Sequence, residues 1–275
     1  MANRRTEPDR RPTKAERREE ARLQRAEIQR KMARRKRNRT LIVGVLIGAI
    51  AVGVAVVAFE KNKGVTTANG THVDSPEQLL AQATTAAKTA GCSDVRTTEP
   101  FNPDNRTGTV PLPPEADIDR DHIGTTYDPT PPPLSAYAST PPASGPHDPT
   151  PLAAGVYDSP PSIYATIHSL EHAAAIIWYD PKQTGQALDE LKAFYQEQIA
   201  KGGKIIVAPY TYPSDGDSGE LPKNVAMALV SWHRLETCAQ VSLPAAFGFS
   251  SKYAYPPYQG QTYLGEAPEP TGAIG

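Results

Sequence analysis

Ala173-Ala174-Ala175-Ile176-Ile177-Trp178-Tyr179, closed by Asp180-Pro181, is the stretch on which the fold turns. An uncharged run of this length, with two isoleucines and two aromatics before a turn signal, reads as a buried strand. Downstream, residues 183–201 form an amphipathic pattern with Leu188, Leu191, Tyr195 and Ile199 on one side, ended by Gly202-Gly203. Ile205-Ile206-Val207-Ala208 reads as a second short strand, and residues 224–241 as a third, with mixed faces that include Trp232, His233 and Cys238. Residues 244–254 suit one more short helix.

Upstream, Ser162 can cap a short helix over residues 162–172. Ser75, Pro76 and Gln78 give the spacing of a capping box for another helix, which Gly91 stops just before Cys92. Between them, residues 97–161 hold 16 of the 28 prolines, which excludes a long helix or a central strand. Ile123, Tyr127, Leu134, Tyr137, Val156 and Tyr157 supply anchors, so this segment reads as an ordered wrap on a folded body. The expectation is one α+β domain over residues 75–254, with helices on one side of a three- or four-stranded sheet. Residues 255–275, with four prolines and four glycines, read as a disordered tail without a core.

Ahead of this domain the charge changes sign. Residues 1–40 carry 16 Lys/Arg against 6 Asp/Glu, whereas residues 60–275 carry 13 against 24. The boundary is Leu41–Phe59, 19 residues without a charge. At about 1.5 Å per residue it spans roughly 28 Å, close to the hydrocarbon thickness of a bilayer. The basic residues before it place the N-terminus in the cytoplasm and residues 60–275 outside, behind a linker over 60–74. The arm over 1–40 serves as a topology signal or lies against anionic lipid, and no nucleic acid is expected as a partner. Gly44, Gly48, Ala51 and Ala55 align small side chains along one face of the span, a surface for a homodimer. Cys92 and Cys238 are the two cysteines, both on the outer side, and a disulfide between them is the economical reading.

Ser144-Gly145-Pro146-His147, Gly155-Val156-Tyr157 and Ile167-His168-Ser169-Leu170-Glu171-His172, followed by the strand ending at Tyr179, carry a resemblance. In this order they resemble the domain-of-unknown-function 3105 family of bacterial membrane-anchored envelope proteins, over about residues 118–240. The resemblance implies placement and fold but no activity. Ile167 stands where the family has valine and Ala173 where it has glycine, which counts against a positive φ at 173.

Four of the six histidines fall between His122 and His172. His168 and His172 are four apart, which on a helix puts both imidazoles on one face. His122 and His147 sit in proline-flanked loops that can close over them. Imidazoles with few sulfurs favour zinc, or copper in an oxidising compartment. The expected ligands are therefore His122, His147, His168 and His172, with Glu171 as a buried partner that orients an imidazole. His168-x-x-Glu171-His172 also matches the HxxEH pattern of inverted zinc peptidases, but too little helix surrounds it. No Ser-His-Asp order, phosphate-cradling glycine loop or cysteine nucleophile is evident, so no catalytic residue is assigned. The competing reading is a non-enzymatic envelope interaction module, whose histidines only hold loops and whose wrap presents Tyr127, Tyr137 and Tyr157.

Overall fold

The computed structural model describes residues 65–66 and 72–274. The basic arm, the apolar span Leu41–Phe59 with its small-residue stripe, and most of the linker lie outside the described residues. No helix among the described residues is long and apolar enough to cross a membrane.

Four α-helices and eight strands make a mixed α+β fold among the described residues. A small pair, β1 (Val65–Thr66) and β2 (His72–Val73), precedes α1 (Pro76–Thr89). There Ser75 and Gln78 form the capping box, each side chain accepting from the other's backbone N–H. The main sheet comprises β3 (Arg96–Thr97), β4 (Gly155–Val156), β5 (Ala175–Tyr179), β6 (Ile205–Pro209), β7 (Met227–Ser231) and β8 (Arg234–Cys238). Their order is β3-β8-β7-β5-β6-β4, with β4, β6 and β5 parallel and the remaining pairs antiparallel. Helices α2 (Ile163–Glu171), α3 (Gln186–Ala200) and α4 (Leu243–Tyr253) complete the fold.

The sheet has six strands rather than three or four. β3 and β4 are pairings of two residues each, too short for period-2 alternation to reveal. The single strand expected over 224–241 is a hairpin, turned at Trp232-His233 with His233 at φ 54°. No glycine or asparagine marks that turn, so His233 sits in a turn and not in a strand.

Strands β5, β6 and β7 are buried along their whole lengths, because both faces are covered. Ile177, Val207, Met227 and Leu229 point to a layer made by α1, α3 and α4, against Leu79, Leu191, Phe194, Tyr195 and Phe247. Gly248 lets α4 approach α1, since a Cβ there would lie 2.6 Å from the Cβ of Ala83. Ile176, Trp178, Ile206 and Val230 point the other way. That face is covered by Phe101, Ile118, Leu134 and Tyr137 of the proline-rich segment and by Ile163, Ile167 and Leu170 of α2. Helices therefore stand on both sides of the sheet.

The wrap is ordered, with short 3₁₀ turns at Pro103–Asn105, Ile118–Arg120 and Leu134–Ala136. Its prolines restrict the unfolded chain, which reduces the entropy lost on laying it down. Tyr137 faces inward, its hydroxyl donating to the Pro146 carbonyl, rather than outward to a partner. Residues 255–274 also depart from expectation. Ala267 joins the core on the wrap side, Leu264 N–H donates to the Lys252 carbonyl and Glu269 N–H to that of Glu171.

Cys92 and Cys238 are joined by a disulfide, with sulfurs 2.08 Å apart. Glu236, two residues before Cys238 on β8, is buried, and burial pushes its carboxyl up to about 7, helped by Asp94 and opposed by Lys252. Below about pH 4.5 this group is protonated in both folded and unfolded chains. Between there and about pH 7 only the unfolded chain releases the proton, so stability falls as pH rises, by about 3 kcal/mol at most. Glu236→Gln should flatten the pH 5–8 stability profile measured by denaturant unfolding. An unchanged slope would remove this carboxyl as its source.

Candidate metal centre

Helix α2 sets the geometry. Ser162 Oγ accepts from Ala165 N–H and donates to Asp148 Oδ2, which fixes the helix start against the segment carrying His147. His168 lies in the last turn and His172 is the C-cap, so the two rings meet edge to face with centroids 4.6 Å apart. Ala173 follows at φ 61° and lets the chain reverse directly into β5. The alanine thus adopts the left-handed conformation that its side chain disfavours, at about 1–2 kcal/mol.

The wrap delivers His122 and His147. Their backbones pair, with His147 N–H donating to the Asp121 carbonyl and Ile123 N–H to that of His147. Gly145, at φ 113°, turns the chain where a Cβ would meet the Tyr137 ring at 2.8 Å. Ser144 Oγ donates to Asp119 Oδ1, and Asp119 Oδ2 contacts His233 Nε2 at 2.8 Å. His233 is thereby held away from the other histidines. Burial opposes its protonation, but Asp119 prevails and raises its pKa.

Three of the four expected histidines converge with Glu171, and His172 lies outside that set, against His168. His122 stacks over His168 at 5.1 Å, and His147 packs against both rings. Donor atoms of His122, His147, His168 and Glu171 lie within 4.8 Å of one another. His172 joins through His168, the two Nε2 atoms being 3.2 Å apart. His147 is fully buried, His168 and Glu171 nearly so, and His122 partly exposed.

The hydrogen bonds fix the tautomers. Nδ1 of His147 faces the Gly145 carbonyl at 2.8 Å, that of His168 the Asp148 carbonyl at 2.6 Å, and that of His172 the Ala273 carbonyl at 2.7 Å. A carbonyl only accepts, so each Nδ1 carries a proton, and in the neutral ring Nε2 then presents a lone pair. Burial lowers the His168 pKa, which keeps that ring neutral. Two lone pairs 3.2 Å apart repel unless a proton or a metal cation lies between them. Zinc–nitrogen bonds of about 2.0–2.1 Å meeting at a tetrahedral angle hold their nitrogens about 3.3 Å apart. His147 Nε2 lies 3.1 Å from Glu171 Oε2, an ion-pair contact outside hydrogen-bonding alignment.

Sequence reasoning missed three residues around the cluster. Arg120 Nε donates to Glu171 Oε1 at 2.6 Å, and its terminal nitrogen to Glu269 Oε1 at 2.8 Å. Lys204 Nζ donates to the carbonyls of His172, Pro270 and Gly272 at 2.6–2.9 Å. None of the three falls in a motif, because each acts from a distant part of the chain. Burial alone would raise the Glu171 carboxyl, but His147 and Arg120 hold it at about 2. An acid so bound to arginine is not a free base, which counts against the peptidase pattern. An open cleft beside Asp180, Lys182, Glu220 and Lys223 shares no residue with the cluster.

Residues 134–266 match the family model described as Protein of unknown function (DUF3105). The match starts and ends later than the sequence motifs suggest, and takes in His147, His168, Glu171 and His172 but not Arg120, His122 or Glu269. No curated protein and no solved structure shows significant similarity.

Proposed function

Residues 134–266 match the DUF3105 family model, and we propose, from the charge step across Leu41–Phe59 and the histidine cluster, that the chain is a membrane-anchored, extracytoplasmic metal-binding protein. His147, His168 and His172 supply Nε2 donors to one divalent transition metal, zinc or copper, and His122 closes over it. The observation that carries this reading is the pair of Nε2 atoms 3.2 Å apart, on rings whose Nδ1 atoms both donate to carbonyls, beside the buried His147 ring. Glu171, clamped by Arg120, supplies negative charge next to His147.

The anchor is Leu41–Phe59, with the basic arm inside and the domain outside. The charge step across the span supports this placement, and the oxidation state of Cys92 and Cys238 tests it.

Titration of the purified full chain with zinc should saturate near one equivalent. Affinity should fall below about pH 6, where protons compete for the imidazole nitrogens. Absence of stoichiometric binding of zinc and of copper at neutral pH would overturn the reading.

A further inference from the structure

The segment after α4 does more than return to the core. Residues 266–273 lie against His172 from several directions. Glu269 N–H donates to the Glu171 carbonyl at 3.1 Å, and the Ala273 carbonyl accepts from His172 Nδ1–H. The carbonyls of Pro270 and Gly272 are held by Lys204, which also binds that of His172. Gly272 sits so close that a Cβ there would lie 2.7 Å from the His172 ring. The strap is therefore seated on the outer face of the cluster by bonds that do not involve the Glu269 side chain.

That side chain repeats the arrangement of Glu171. Both carboxylates give Oε1 to Arg120, at 2.6 and 2.8 Å. Both turn Oε2 to a cluster imidazole, Glu171 to His147 Nε2 at 3.1 Å and Glu269 to His172 Nε2 at 3.3 Å. The second separation equals the span of about 3.3 Å between two ligand atoms of a tetrahedral site with bonds near 2.0–2.2 Å. Glu171 is buried, whereas the Glu269 side chain is half-exposed, at 51 %. Of the two carboxylates it is the one open to solvent.

We propose that Glu269, carried in by the strap, is a carboxylate ligand of the metal, and that Arg120 positions it. This rests on the histidine metal reading. It makes the strap part of the site: metal leaves when residues 266–273 lift, and the donor set becomes imidazole nitrogen with a carboxylate oxygen. With Arg120 bound to both, Glu171 and Glu269 leave one net negative charge beside the ion, and a set of imidazole and carboxylate donors without sulfur favours a divalent over a soft monovalent metal.

Cobalt(II) bound to the full chain is the probe, because its visible spectrum reports the ligand set. Glu269→Gln keeps a carbonyl oxygen for Arg120, so the strap stays seated while a strong ligand is lost. It should shift the cobalt spectrum and speed release to a chelator by about 10–100-fold, the range that supporting groups of metal sites command. Lys204→Met removes the strap's anchor but no donor atom, so it should speed release while leaving the saturated spectrum unchanged. A Glu269→Gln chain with the parent's spectrum and release rate would overturn the role of Glu269 and leave the histidine site standing. A parent chain that binds no cobalt, zinc or copper would overturn the histidine reading, and this inference with it.

Discussion

His168→Ala binds zinc about 100-fold more weakly than the parent chain, whereas His233→Ala binds it equally well. His168 is central by geometry: its ring contacts those of His122, His147 and His172, and its Nε2 faces that of His172. A four-ligand zinc site is worth about 10–16 kcal/mol at neutral pH, so a quarter share is about 3 kcal/mol, or roughly 100-fold. His233 has its nitrogens on Asp119 and Thr98, outside the donor set. Competition with a zinc chelator measures both variants. Equal affinities for parent and His168→Ala would remove the site; equal losses in both variants would make the histidines structural.

Replacing Cys92 and Cys238 with alanine costs up to about 5 kcal/mol of stability. The bridge closes 146 residues, and the loop-entropy relation gives that figure as the stabilisation from constraining the unfolded chain. The bond also ties the loop after α1 to the last residue of β8, and Cys238 is buried on the face of the sheet covered by α1, α3 and α4. Denaturant unfolding of the double variant checks the size of the effect, and a loss under about 1 kcal/mol would contradict it. The same pair reports placement. Chains extracted with a thiol trap present should carry no free cysteine if the domain lies outside; two trapped thiols would put it on the reducing side.

The sequence was most legible where a period or a cap controls structure. The capping box at Ser75 and Gln78, the buried run at Ala175–Tyr179 and the helix ending before Gly202 follow from local chemistry. β3 and β4 were not readable, because two residues carry no period, and the Trp232-His233 turn lacks the residues that usually announce one. Helix α2 was expected, but its position opposite α3 depends on which side of β5 each residue faces. The histidines were recognisable because four of them crowd a proline-rich region. Their partners were not: Arg120, Lys204 and Glu269 look like ordinary surface charges, and reach the cluster only when distant segments meet. Ala173 misled in the other direction, since an alanine at φ 61° has no local signature.

X-ray absorption of the zinc-loaded full chain tests the central claim most directly, because it reads the atoms bound to the metal. The account predicts nitrogen and oxygen neighbours at about 2.0–2.1 Å with the outer-shell pattern of several imidazoles. Sulfur at about 2.3 Å, from Cys92 and Cys238, or a shell of oxygens without imidazole, would contradict it.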